Sequence, residues 1–418
     1  MMGQVPRPVH LKATAMGYDG RPMRFYLSAL SALPVLLFAT ASLSAQQAVP
    51  MSTNPYLALM TAARIHAHAH GAPTPVLSPV DSTLLGANPP IDVAQLHQAG
   101  FRVVPWTTDE PAKMRALIGL RVDGIISDRP DILQAVLKSE AATHPADAAY
   151  FAAFDVAAHR GGRGLRPENT LPSFEHGLDH LVTTLETDTG VTTDHVSLIW
   201  HDQYLNPQSC RHADGTPYTL ENRVYTRDIS STEAQRNFIC DKLHSTQFPE
   251  QANDLKLSPV AVAFAKKEGL ISPYVPTYVE QLFRFVDFYV DYYRNGPGKS
   301  NPEAGARAAN AAKVRFNIET KILPLPNDPA GRSVAKLPVP KPGVKQTTNH
   351  TVDPQTFVTT LCGAIMRNHM ESRAEVQSFD FRTLQLVEEQ FPKIPTYYLT
   401  GSPKSLSSAL IPASLRQP

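Results

Sequence analysis

Short apolar runs recur along this chain and alternate with stretches of helical period. A helix is expected over 56–70, followed by a Pro-rich turn over 73–79. The pattern then reads helix (91–99), buried strand (FRVVPW, 101–106), helix (110–120) and buried strand (VDGIIS, 122–127). It resumes with FDVAAH (154–159), LVTTLETD (181–188), VSLIWH (196–201), KVRFNIETK (313–321), AEVQSF (374–379) and PTYYLT (395–400). Amphipathic segments fall between these runs, over 170–179, 279–293, 353–371 and 381–390. Near-continuous apolar strands that alternate with helices mark a parallel sheet covered on both faces. Two strands before residue 130 and six after 150 make eight, which predicts an α/β fold of the TIM (β/α)8 barrel type. Two long stretches interrupt the rhythm, 204–272 and the Pro- and Gly-rich 323–350. Connections of that length in a compact domain carry function or lack order.

Charge and composition narrow the field. With 39 basic and 38 acidic residues the net charge is +1, without the basic excess of a nucleic-acid binder. Arg21 and Arg24 precede an apolar run from Phe25 to Leu43, and small residues follow at 41–45. That order predicts a signal peptide over 1–45 and export to a periplasmic or extracellular space, with an N-terminal membrane anchor as the alternative. Residues 46–418 are then a single domain. Three cysteines are too few for a disulfide scaffold, and two readings stand for Cys210 and Cys240: a pair, or free thiols. His66, His68 and His70 alternate with Ala; in a helix only His66 and His70 share a face, and the tract is read as part of a variable helix rather than a metal site.

The strand ends carry the chemistry. The apolar runs end in Trp106, Ser127-Asp128, His159-Arg160, Glu186-Thr187-Asp188, His201-Asp202, Glu319-Thr320-Lys321 and Ser378-Phe379. In a TIM barrel the C-terminal strand ends form the active-site rim. Glu186 and Asp188 point the same way, because a strand has period two. Three clustered carboxylates, Glu186, Asp188 and Glu319, call for a hard divalent cation with oxygen ligands. The competing reading is a structural Glu319–Lys321 ion pair beside a solvated Glu186. His159 and His201 titrate near neutrality and suit an acid–base pair. Arg160 and Lys321 suit the non-bridging oxygens of a phosphate.

AHRGGRGLRPENTLPSFEHGL (158–178) resembles the opening motif of glycerophosphodiester phosphodiesterases. Glu186-Thr187-Asp188 resembles that family's Glu-x-Asp, and Thr192-Thr193-Asp194 followed by Leu198-Ile199-Trp200-His201-Asp202 its downstream His-Asp segment. VPTYVEQL (275–282), NIETK (317–321) and VQSFDFRTL (376–384) resemble three further motifs in order. The resemblance implies His159 and His201 as catalytic groups and Glu186, Asp188 and Glu319 as ligands of one divalent cation, Ca²⁺ or Mg²⁺. It implies Arg160 and Lys321 at the phosphate, Phe379 and Trp106 as walls of the substrate pocket, and Glu168 and Asn169 at the metal or just behind it. The strands that end in Trp106-Thr107 and Ser127-Asp128 close the family's barrel at its C-terminus, yet here they come first. A circular permutation is therefore expected, with strands 7–8 (75–135) ahead of strands 1–6 (154–400); the alternatives are a truncated tandem repeat and a barrel closed by exchange between two chains. The 204–272 insertion is expected to cap the site and to contact a membrane surface. The implied reaction is hydrolysis of a small glycerophosphodiester to an alcohol and sn-glycerol 3-phosphate. Its rivals are a lysophospholipase D or phospholipase C-like activity on the same barrel, and a non-catalytic barrel that binds phosphorylated ligands.

Overall fold

Seven parallel strands and one shorter extended segment close into a ring in the computed structural model, which describes residues 54–323, 349–406 and 411–416. The expected signal peptide lies outside the described residues, as does most of the 323–350 stretch. Helix α1 (Pro55–Ala69) leads into β1 (Val76–Pro79). Helix α2 (Val93–Gln98), the extended segment 103–106 and α3 (Pro111–Gly119) follow. Then come β2 (Gly124–Ser127), α4 (Pro130–Thr143), α5 (Ala148–Ala153), β3 (Asp155–Ala158), α6 (Leu171–Asp179), β4 (Thr184–Val191) and β5 (Ser197–Ile199). The insertion holds β6 (Arg211–His212), α7 (Ser231–Asn237), β7 (Phe238–Ile239) and α8 (Pro259–Glu268). The barrel resumes through α9 (Val279–Arg294), α10 (Ala304–Ala311), β8 (Arg315–Thr320), α11 (Pro354–Arg367), β9 (Ala374–Ser378), α12 (Phe381–Gln390), β10 (Thr396–Thr400) and α13 (Pro403–Leu406).

The ring runs β1, 103–106, β2, β3, β4, β8, β9, β10 and back to β1. Segment 103–106 bridges β1 in parallel at Val103 and Trp106. On its other side the amides of Asp123 and Ile126 donate to the carbonyls of Val103 and Pro105. Pro105 has no N–H to donate, which is why this stave carries a broken ladder. The eight-strand count holds, but its composition differs from expectation in two places.

Residues 76–79, read as part of a Pro-rich turn, form a fully buried barrel strand. Four residues between prolines are too few to show a period. VSLIWH (196–201), read as a barrel strand, is an antiparallel partner of β4 outside the ring, with Thr189 opposite Ile199 and Val191 opposite Ser197. Only five residues, 192–196, connect the two, and a parallel crossover needs a dozen or more. Three staves therefore precede the 155–158 strand and five begin with it. A permuted barrel would start with its last three strands, not with strands 7–8 alone.

The helices follow from patterning and caps. Thr170 caps α6 in a reciprocal box with Ser173, and Asp353 caps α11 through the Thr356 amide. Helix α9 buries Leu282, Phe283, Val286 and Tyr289 on one stripe against the barrel wall. The bottom of the barrel is closed by charge: Arg315 pairs with Asp155 at 2.6 Å, and the Thr183 and Thr184 hydroxyls donate to the same carboxylate.

The 204–272 insertion has a core of its own. Leu198, Trp200, Leu205, Tyr218 and Phe238 pack around a disulfide between Cys210 and Cys240. Since that bridge spans 30 residues, replacing both cysteines by Ser should destabilise this region by about 3 kcal/mol, read as a lower urea midpoint.

Helix α8 is tied to α6 through Glu175, whose carboxylate accepts the Val260 and Ala261 amides at 3.0 and 2.7 Å. Burial, with Asp179 nearby, lifts this carboxyl from its ordinary 4.5 to about 8. Between those two values the unfolded chain releases a proton that the folded chain keeps. Glu175 therefore lowers stability progressively as pH rises from 4.5 to 8. Thermal melts of Glu175→Gln across pH 5–8 should lose that downward slope, and the variant should gain most over the parent at pH 8.

Candidate active site

Because all ring strands are parallel, their C-terminal ends meet at one face. The register then sets the chemistry. Asp188 on β4 lies beside Glu319 on β8, and Glu319 beside Gln377 on β9. Residues that share a row in adjacent parallel strands project the same way, so this row points into the barrel mouth. Glu186 sits two residues earlier on β4, on the same face. One oxygen each of Glu186, Asp188 and Glu319 lies within 4.8 Å of the others, and all three side chains are buried.

The three carboxyls are not equivalent. Burial works against ionising Asp188, but Arg160, His201 and Lys321 overcome it and hold this group well below the usual range. Burial and the Asp188 charge push Glu186 well above it. Burial likewise raises Glu319, although Lys321 lies 2.9 Å away. Lys321 Nζ also stands 3.7 Å from Asp188, and Arg160 Nε 3.3 Å from its other oxygen. Glu186 accepts the Arg160 amide at 2.8 Å and the Gln377 side-chain amide at 2.6 Å. The Gln377 side-chain oxygen is buried beside this cluster without a donor. An all-oxygen donor set with an orphaned oxygen next to it fits a hard divalent cation.

The loop after β3 is shaped to serve this cluster. Arg160 adopts the left-handed backbone region (φ 50°, ψ 38°), which turns its N–H onto Glu186. Such a conformation costs a non-glycine residue on the order of 1–3 kcal/mol. Gly161 follows at φ +81°, and a Cβ there would stand 2.5 Å from Ser173 Oγ and 2.9 Å from the Phe174 nitrogen. The His-Arg-Gly order thus records a loop pressed onto the first turn of α6. Asn169, also left-handed, donates to Asp188 at 3.0 Å and accepts from Thr187.

His159 Nδ1–H donates to Asp128 at 2.5 Å, and its Nε2 faces Glu186 at 4.0 Å. Burial lowers the His159 pKa against the pull of Asp128, and with Nδ1 committed to Asp128 it is Nε2 that faces the carboxylate row. Arg163 donates to the same Asp128 oxygen at 2.7 Å. Burial opposes ionisation of Asp128, but His159 and Arg163 keep it charged. His201, just past β5, pairs through Nδ1 with Asp202 at 2.9 Å.

These groups line one cavity of about 170 Å³, together with Trp106, Leu399 and Phe379. Trp106 and Phe379 meet edge to face at 5.3 Å, and Trp106 is anchored by a bond from its indole N–H to the Ser78 carbonyl. His159, His201, Arg160, Lys321, Glu186, Asp188, Glu319, Trp106 and Phe379 are therefore brought together as expected. Asn169 stands behind Asp188. Glu168 lies away from the carboxylate row and instead takes salt bridges from Arg160 at 2.8 Å and Arg163 at 3.2 Å.

Arg163 and Gln377 were not singled out from sequence, and Asp128 was noted as a strand end but given no role. Gln377 shares strand parity with Phe379, so position alone could have flagged it. Nothing in the sequence pairs Arg163 with Asp128. The insertion was expected to roof this cavity, yet none of the residues lining it comes from 204–272. It braces the loop below the rim instead: Gln251 donates to the Arg163 and Arg166 carbonyls, and Phe248 lies under the Arg163 guanidinium at 5.2 Å.

The sequence profile described as the glycerophosphoryl diester phosphodiesterase family matches residues 26–132 and 159–415. A Mycobacterium tuberculosis protein named "Probable glycerophosphodiester phosphodiesterase 2" is 50% identical over 48 residues, 12% of this chain and 18% of that protein. Lysophospholipase D GDPD3 of Mus musculus is 41% identical over 59 residues, 14% of this chain and 18% of that protein. The chain thus spans less than a fifth of the length of these curated relatives. The solved structure of an Oleispira antarctica phosphodiesterase in complex with the product sn-glycerol-3-phosphate aligns at 14% identity and a TM-score of 0.32, over 58% of this chain and 65% of that one.

Because burial and the Asp188 charge raise the Glu186 pKa, a cation bound to the row competes with protons for this carboxyl. Calorimetric Ca²⁺ titrations in two buffers of different ionisation heat should show proton release at pH 7 and weaker binding as pH falls. Glu186→Gln should abolish the release, and Glu319→Gln should weaken binding tenfold or more.

Proposed function

Since the chain belongs to the glycerophosphoryl diester phosphodiesterase family, we propose that it hydrolyses glycerophosphodiesters to an alcohol and sn-glycerol 3-phosphate. One observation carries this reading: His159, oriented by Asp128, faces a buried carboxylate row flanked by Arg160 and Lys321. Glu186, Asp188 and Glu319 would hold one divalent cation, with Ca²⁺ or Mg²⁺ favoured by the oxygen-only set. Such an ion supplies Lewis-acid polarisation of the phosphate and a template for the glycerol hydroxyls.

The remaining work falls to the chain's own groups. Lys321 and Arg160 compensate negative charge at the mouth of the cavity. His159 Nε2 is the group ready to accept a proton or to attack, because Nδ1–H is committed to Asp128. The imidazolium formed at His159 is stabilised by the ionised Asp128. His201, held by Asp202, delivers a proton to the departing alkoxide. Trp106 and Phe379 wall off the apolar side of the substrate.

We further propose export, supported by the Cys210–Cys240 disulfide, since such bridges persist in oxidising compartments. Among the described residues no helix is long and apolar enough to cross a membrane. Contact of the insertion with a membrane surface is supported by exposed Leu243, Leu255, Leu257 and Ile271.

A lipid substrate is the second reading, favoured by a neighbouring cavity of about 230 Å³. It shares Glu319, Lys321 and Phe379 with the active site and continues along Ile322, Phe381, Leu406 and Ile411. An acyl chain of a lysophospholipid would find apolar walls there.

Choline release should be measured from glycerophosphocholine and from lysophosphatidylcholine, with Ca²⁺, with Mg²⁺ and with EDTA. Metal-dependent release from glycerophosphocholine is expected. His159→Ala should lower kcat by 10³-fold or more, and Asp128→Asn by about 10²–10⁴-fold, with both variants folded. Wild-type turnover in folded His159→Ala rejects the assignment. Preference for the lysolipid, lost in Leu406→Asp while glycerophosphocholine turnover persists, selects the second reading.

A further inference from the structure

Helix α1 carries His66 and His70 one turn apart, so both rings leave the same face. The last turn of α12 brings Glu388 and Glu389 to that face. One ring nitrogen each of His66 and His70 and one oxygen of Glu389 lie within 4.8 Å of one another.

Hydrogen bonds decide which nitrogens are free. His66 Nδ1 donates to Glu388 Oε2 at 2.7 Å. Glu388 is buried, and its other oxygen is held by the Thr396 and Tyr398 hydroxyls at 2.8 and 3.0 Å. His70 Nδ1 lies 3.0 Å from the His66 carbonyl, which can only accept, so this nitrogen donates as well. Both Nε2 atoms are left with lone pairs. Yet His66 Nε2 faces Glu389 Oε1 at 3.2 Å. A contact this close needs a second proton on the ring, a proton on buried Glu388 with the ring N–H turned to Glu389, or a cation between Nε2 and Glu389. A carboxylate behind the far nitrogen of an imidazole is also the arrangement that orients metal-binding histidines.

We propose that His66, His70 and Glu389 form a second metal site, for a divalent transition ion of the zinc class, with Glu388 positioning His66. A helical i, i+4 histidine pair and one carboxylate supply three ligands and leave a position for water. Imidazole ligands separate this site chemically from the oxygen-only row in the barrel mouth. Its place in the fold gives it a role. Helix α1 leads into β1, α12 leads into β10, and β1 pairs with β10. The ion would staple the seam where the first strand closes on the last, at the other end of α1 from the bond that the Tyr56 hydroxyl donates to the Gly401 carbonyl at 2.8 Å. His70 and Glu389 are exposed, so the ion exchanges without unfolding.

The test is Zn²⁺ uptake by the metal-stripped full chain, followed by calorimetry in excess Ca²⁺. The parent should bind one equivalent more than His70→Ala or Glu389→Gln, and Glu388→Gln should bind that equivalent ten- to a hundredfold more weakly. Zn²⁺ should also raise the thermal midpoint of the parent above that of His70→Ala measured in the same Zn²⁺. Both exposed-site variants should keep the parent's circular dichroism. Equal stoichiometry in parent and variants, or no uptake by the folded parent, overturns the proposal.

Discussion

Three carboxyl groups buried within 4.8 Å of one another repel, and much of the barrel mouth is arranged around that repulsion. A chain of alternating charges runs from it: Glu319 to Lys321, Lys321 to Asp188, Asp188 to Arg160, Arg160 to Glu168, Glu168 to Arg163, Arg163 to Asp128. His159 hangs from the last member. Truncating Lys321 leaves the buried Glu319 without its ion-pair partner, a kind of loss that costs about 3–5 kcal/mol. The left-handed backbone at Arg160 serves the same arrangement, because it aims an amide at Glu186, which forms no salt bridge with a Lys or Arg among the described residues.

The rest of the molecule isolates that network from motion and from water. Short strands, buried on both faces, hold Glu186, Asp188, Glu319 and Gln377 to a fixed register. The insertion departs from a hairpin rather than from a barrel strand, and it carries its own core and disulfide. It presses on the 163–166 loop from outside, so it supports His159 and Arg163 without entering the cavity. Precision comes from the strands and support from the excursion, a division suited to a site whose groups must hold their positions closely.

Much of this was legible in the residues. Apolar runs that end in His159-Arg160, Glu186-x-Asp188 and Glu319-x-Lys321 announced both the parallel barrel and its rim. Two strand assignments went astray for separate reasons. VLSP is too short to display a period, and only its burial between β10 and 103–106 reveals it as a stave. VSLIWH has the composition of a barrel strand, and the five-residue link before it was the contrary signal.

Sequence by itself determined the strand–helix alternation and the chemical types at the strand ends, because period and composition are local properties; the count of eight came out right although one stave was missed and one strand outside the ring was included. It also determined that three carboxylates and His159 would reach one face, since parallel strands share a direction; His201 reaches that face from the antiparallel β5 instead. Tertiary structure decided which groups touch. The row Asp188–Glu319–Gln377 is a matter of register, and the Asp128 bond to His159 joins two strands whose pairing no local pattern specifies. The difference in proton affinity between Glu186 and Asp188 was decided there too. Only Thr187 separates them in sequence, but the Arg160 guanidinium and Lys321 pair with Asp188 and not with Glu186, and a charge's energy is set by its neighbours in space.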